Sequence, residues 1–231
     1  MNNQQVRVVK SLKELDAILK EVDSAATISD DELRRVFQTF EMEYPIELPS
    51  DPFTAEYRQK QFEFYEFLAG KPYSNENEAS VFDVDSAIKN PFPFYTASPQ
   101  TVGHQLIAIG HIIRTMNLPE SSSILEFGPG WGNTTVWLAR MGYKVTAIDI
   151  EDRFVELIKR RAEQKNLELE VFKGDFQFID QTDRQWDAVL FFECFHHCAN
   201  HQELIEGLDS VITRGGKAIF AAEPITDDFP V

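Results

Sequence analysis

The chain has 231 residues, enough to bury a substantial core and to carry one domain with a sizeable appendage. Its 43% hydrophobic and 26% charged residues are the balance of a soluble folded protein, and no apolar run approaches the ~20 residues that span a bilayer. The formal net charge of -16 makes the average surface repel phosphate backbones and anionic headgroups, which sets nucleic acid and membrane aside as partners.

The amino terminus, MNNQQVRVVKSLKELD, lacks the continuous apolar stretch of a secretory signal, so a cytoplasmic location is expected. Cys194 and Cys198 sit close together beside histidines, a poor arrangement for a disulfide framework. Residues 1–98 read as a helical amino-terminal region without alternation of strand and helix. Within it, Leu33, Val36, Phe37 and Phe40 form one helical stripe, and Tyr57, Phe62, Phe64, Tyr65 and Phe67 crowd a second segment. Both are expected to be packing surfaces. From Asn90 to Pro99 three prolines exclude regular helix and favour an extended loop. A helix over 101–116 follows.

Residues 99–231 read as a different kind of structure. The apolar runs SSILEFG, KVTAIDI, LEVFKGD, WDAVLFFEC and KAIFAAEPI alternate with helical patterns. That alternation predicts an α/β fold with five strands in a mostly parallel sheet and helices on both faces. The helix from about Asp152 to Gln164 starts acidic and ends basic, as its dipole favours. Its cations Arg153, Lys159, Arg160 and Arg161, with Lys165 beyond them, are expected to form a solvated face. A third helix, about His201 to Ile212, carries Leu204, Ile205, Leu208 and Val211 before the turn Arg214-Gly215-Gly216.

The first strand runs into Gly128-Pro129-Gly130-Trp131-Gly132 and then into a helix that starts near Asn133. Glycines there let the backbone turn tightly and approach a ligand without a clash from Cβ. The dinucleotide fingerprint wants GxGxxG, whereas here the third glycine arrives one residue early, which counts against a nicotinamide or flavin cofactor.

The order acidic-x-Gly-x-Gly-x-Gly, carried by Glu126, Gly128, Gly130 and Gly132, resembles the first motif of class I methyltransferases dependent on S-adenosylmethionine (SAM). The likeness extends over about residues 95–225. It implies a Rossmann-like sheet with SAM as cofactor and S-adenosylhomocysteine (SAH) as product. By resemblance, Asp149 at the end of the second strand, with Ile150 after it, lies where the family binds the ribose hydroxyls. Asp175 lies near the adenine amino group and Phe176 against the ring. Glu193 ends the fourth strand at the same ligand site. The family's sheet has seven strands and five are counted here, so the last antiparallel pair is expected to be missing, and an open sheet edge favours self-association.

Glu193-Cys194-Phe195-His196-His197-Cys198 falls where ligands bind in open α/β sheets. A histidine here can take a proton from an acceptor hydroxyl or amine, and His197 is placed ahead of His196 as general base. The alternative is a structural histidine that caps the next helix. Some family members carry Glu-x-x-Glu-His at this place and bind a divalent cation. Here the second acid is replaced by His196, and hard cations prefer oxygen, so no metal is expected. Residues 91–99 are expected to fold over the cofactor as a lid, with Tyr95 and Thr96 near its methionine end. The resemblance implies methyl transfer to oxygen, nitrogen or carbon of a small-molecule acceptor, such as a sugar or a natural-product intermediate. The alternative is a SAM-binding or scaffolding domain without catalysis.

Overall fold

The structure, a computed structural model, describes residues 6–43, 47–74, 80–89 and 98–223. These divide into two compact units, one holding the described residues up to Tyr73 and the other those from Ser74 onward.

In the first unit, β1 (Arg7–Val9) and β2 (Phe40–Met42) pair in parallel, with Arg7 opposite Phe40 and Val9 opposite Met42. Two helices connect them, α1 (Leu12–Ala26) and α2 (Asp30–Phe37). Both start at serines: the Ser11 and Ser29 hydroxyls accept the Glu14 and Glu32 N–H groups, which satisfies donors a helix start otherwise leaves open. Strand and helix therefore do alternate here, contrary to expectation. Three-residue strands are too short to show an alternating pattern. The expected stripe is also split, because Phe40 belongs to β2 while Phe37 ends α2. Helix α3 (Ala55–Ala69) is capped by Thr54 and stopped by Gly70 at φ 65. None of its residues is buried, so its aromatics form no closed core.

The second unit holds the sheet. Its helices are α4 (Val84–Lys89), α5 (Pro99–Met116), α6 (Asn133–Arg140), α7 (Asp152–Lys165) and α8 (His201–Val211). Its strands are β3 (Ser123–Phe127), β4 (Lys144–Asp149), β5 (Glu170–Lys173), β6 (Trp186–Phe192) and β7 (Ile212–Ala221). They lie in the order β5-β4-β3-β6-β7, and every neighbouring pair is parallel.

Alternation along each strand divides the core between the two faces. Ile124, Ala188 and Leu190 meet Ile112 and Met116 of α5 and Leu138 of α6. Ala147 and Val171 meet Val155 and Ile158 of α7. On the opposite face, Leu125, Phe127, Val189 and Phe191 pack against Leu204, Leu208 and Val211 of α8. The fold is thus the expected Rossmann-like α/β sheet.

Three local expectations change. Residues 84–89 belong to the second unit rather than to the amino-terminal region, because they pack on α7. The basic face of α7 is what holds them: Arg160 pairs with Asp85 at 2.6 Å, and Arg161 donates to the Ala87 carbonyl at 3.3 Å. Arg153 likewise donates to the Ser80 carbonyl at 3.3 Å. Arg161 is 4% exposed, so that face is only partly solvated. Finally, β7 begins directly after α8. The register shifts between Trp186 and Ala188 and Gly215 adopts φ 84, so the expected turn is an irregularity inside the strand.

Candidate active site

The chain leaves β3 for β4 and β5 on one side, then returns to β6 on the other. Loops at the carboxyl ends of β3 and β6 therefore diverge, and that crevice is where open α/β sheets bind ligands.

The glycine turn occupies one side of it. Gly128, Gly130 and Gly132 all have positive φ, at 56, 50 and 69 degrees. Two of them are also demanded by packing. A Cβ on Gly128 would lie 2.6 Å from the Cys194 Cβ, and one on Gly132 would lie 2.4 Å from Cγ1 of Ile158. Gly130 differs, since a Cβ there would meet nothing within 4 Å among the described residues. Among these residues the apex of the turn is open.

The turn is pinned from two directions. Asp149 accepts the Gly130 N–H on Oδ2 and the Glu151 N–H on Oδ1, each at 2.9 Å. Burial pushes its carboxyl above the ordinary value, and these backbone donors only partly offset that. From α7, the buried Arg161 guanidinium donates to the Trp131 carbonyl and to Oδ1 of Asn133. Trp131 itself packs on Phe82 and Phe154, with ring centroids 4.7 and 5.4 Å away.

Glu126 lies beneath the turn, 2% exposed, with the Thr135 hydroxyl donating to it at 2.6 Å. Burial outweighs that hydrogen bond and pushes its carboxyl up to about 7, with a further push from the nearby Asp149 charge. Ile150, half-buried, follows Asp149. Asp175 is exposed and caps the 3-10 turn 176–181 by accepting the Gln177 N–H at 2.9 Å. Phe176 packs on Phe127 and Phe191, at 5.5 and 6.0 Å between centroids. Tyr95, Thr96 and most of the expected lid lie outside the described residues; Ser98 and Pro99 start α5, with Ser98 as its cap.

The other side of the crevice is the end of β6. Glu193 is exposed and takes φ 55, unusual for a side chain larger than asparagine, while its N–H donates to the Ala221 carbonyl. The chain then makes a 3-10 turn through Phe195–His197. Glu223, just past β7, holds this turn. Its Oε1 accepts the Cys194 and Phe195 N–H groups, both at 2.9 Å, and its Oε2 accepts the His196 N–H at 3.2 Å. Nδ1 of His196 lies 2.8 Å from the same Oε2. Burial works against the Glu223 charge, yet these donors together hold the carboxyl below its ordinary value. Of the two expected histidines, His196 thus has a carboxylate partner among the described residues. The His197 ring lies 4.3 Å from that of His196, centroid to centroid.

Glu223 was missed in the sequence, where it reads as one more residue of the run KAIFAAEPI. The available signal was an acid at the carboxyl end of a strand, the edge where ligands bind. Burial raises both thiols, Cys194 most and Cys198 to about 11, so neither is poised as a thiolate. Cys194 instead donates to the Phe127 carbonyl at 3.1 Å. Among the described residues no group of three His, Cys, Asp or Glu could hold a metal ion, and no helix is long and apolar enough to cross a membrane.

Residues 124–216 match the family model described as a methyltransferase domain. Over this segment the chain is similar to methyltransferase domains. The chain is 31% identical over 104 residues to the S-adenosyl-L-methionine-dependent Diels-Alderase iccD of Talaromyces variabilis, covering 43% of this chain and 36% of that protein. It is 26% identical over 98 residues to the ubiquinone biosynthesis O-methyltransferase of Coxiella burnetii, covering 42% of each. Over 107 residues it is 27% identical to the demethylmenaquinone methyltransferase of Tropheryma whipplei, covering 46% of this chain and 44% of the relative. The match thus spans less than half the length of each of these relatives. In all three the shared segment is of a size with the methyltransferase domain alone.

Proposed function

We propose that this chain binds SAM at the glycine turn and transfers its methyl group to a small-molecule acceptor, leaving SAH. The observation that carries the reading is the open apex of the turn at Gly130, set between Asp149 and the first turn of α6. Gly132 occupies the N-cap of α6 without a side-chain cap, so helix N–H groups are left for the carboxylate of the methionine moiety. In this reading Asp149 takes the ribose hydroxyls, and each of its carboxylate oxygens has a lone pair beyond the one its backbone donor uses. SAM supplies an electrophilic methyl group; the protein's part is to hold it in line with the acceptor and to take up a proton. His196 and His197 stand across the crevice for that step. The acceptor side also includes Glu193, whose left-handed backbone is the kind of strain found at functional sites.

Titration calorimetry with SAM and SAH tests the binding step, and no heat with either ligand overturns this reading. A labelled-methyl screen against a metabolite extract tests transfer. A second reading, a SAM-binding domain that transfers no methyl group, is favoured by the 31% likeness to a protein named as a SAM-dependent Diels-Alderase. Binding heat with no label transferred to any metabolite selects it.

A further inference from the structure

Just past β7 lies a carboxylate that the proposed methyl donor site does not call on. The Glu223 side chain is 2% exposed, yet it is charged, and its donors among the described residues come from the turn after β6. We infer that Glu223 is a positioning residue that fixes the His196 ring as the proton acceptor for a methyl acceptor that loses a proton on transfer, such as a hydroxyl or amine. This rests on the methyltransferase reading above.

The geometry sets the tautomer. An ionised carboxylate only accepts, so the 2.8 Å contact requires Nδ1 to carry the ring proton. In the neutral ring Nε2 is then the acceptor nitrogen, which is the state a general base needs. The His196 backbone N–H, bound to the same Oε2, holds the residue while the ring is held, so two contacts converge on one oxygen. In the transfer step the acceptor O–H or N–H bond breaks and its proton goes to Nε2. The acceptor atom forms the new bond to the methyl carbon as the carbon–sulfur bond of the sulfonium breaks, its electron pair remaining on sulfur. Charge balances, because the sulfonium becomes a neutral thioether while the imidazole becomes an imidazolium beside the Glu223 carboxylate.

The Glu223→Gln variant separates this role from a merely structural one. Its carbonyl oxygen is claimed by the Cys194 and Phe195 N–H groups, which turns the amide nitrogen toward His196. An NH2 group donates to Nδ1 instead of accepting from it, and the ring proton moves to Nε2. Nitrogen NMR of histidine-labelled protein, with His196 assigned through a His196→Gln variant, reads the tautomer directly. The expected result is the Nδ1–H form in the unmodified chain and exchange of the two ring nitrogen signals in Glu223→Gln. An Nε2–H ring in the unmodified chain overturns the proposal, and so does an unchanged tautomer in a folded Glu223→Gln. If the variant does not fold, the unmodified chain still decides. Calorimetry with SAM on the same samples keeps the two ideas apart: its failure removes the methyltransferase reading, whereas the tautomer reports on Glu223 alone.

Discussion

Two loops face each other across the crevice, and each is held by one carboxylate from the neighbouring strand. Asp149 at the end of β4 holds the turn after β3; Glu223 past β7 holds the turn after β6. Both are buried, yet the Asp149 carboxyl is pushed above its ordinary value and the Glu223 carboxyl is held below it. The balance of burial against donors decides the sign. Burial weighs most on Asp149, and the Gly130, Glu151 and Ile150 N–H groups, with the Glu151 charge working against them, do not offset it. Glu223 has three backbone N–H groups and a histidine ring. The glycine turn is thus built around a charge the fold tolerates, and the histidine turn around a charge the fold favours.

The largest test of the first half of this contrast is Gly132→Ala. The new Cβ would sit 2.4 Å from Ile158 on a left-handed backbone, so overpacking and strain add to about 4 kcal/mol of lost stability. Chemical denaturation measures it, and a loss under about 1 kcal/mol would mean that the turn is not clamped between α6 and α7. Next comes Glu126, which adds a second disfavoured charge to the same side. Its carboxyl titrates near 4.5 when unfolded and near 7 in the fold, so the fold favours the neutral form. Stability from this group is full below the unfolded value and falls as pH rises toward 7. Glu126→Gln keeps the Thr135 bond without that charge. It is expected to be more stable than the parent by roughly 3 kcal/mol at pH 8 and by under about 1 kcal/mol at pH 5. Equal stability at both pH values would show that burial does not dominate beneath the turn.

What could be read from the sequence was local or periodic. The strand, glycine turn and helix around Gly128 to Asn133 are contiguous, and the strands of the sheet announce themselves by apolar runs that end in Asp149 or Glu193. What could not be read depended on which strands become neighbours. His196 and Glu223 are 27 residues apart and meet only because β6 pairs with β7. The arginines of α7 look like a solvated run until residues 80–87, more than 70 positions earlier, are laid against them. Phe176 is similar: expected against a ligand ring, it packs on Phe127 and Phe191 instead of standing clear of the core.

Converting each carboxylate to its amide tests the two charges separately. Glu223→Gln removes a favoured charge with several charge-assisted bonds and is expected to cost about 2 kcal/mol at pH 7. Asp149→Asn also turns an NH2 toward a backbone donor, but it relieves a disfavoured charge, so about 1 kcal/mol is expected. Denaturation of both variants at pH 7 reverses the argument if Asp149→Asn costs more.

The smallest stability change is expected where the ligand effect is greatest. Gly130→Ala adds a methyl group that meets none of the described residues, so the left-handed backbone is what opposes it, at about 1 kcal/mol. The same methyl group would stand at the apex where SAM is proposed to lie, and its N–H must stay on Asp149 for the turn to keep its shape. Calorimetry is therefore expected to show SAM affinity reduced at least about tenfold in a protein that is nearly as stable as its parent, a loss near 1.4 kcal/mol of binding. Parental affinity in that variant would place the ligand away from the apex and leave Asp149 with a purely structural hold on the turn.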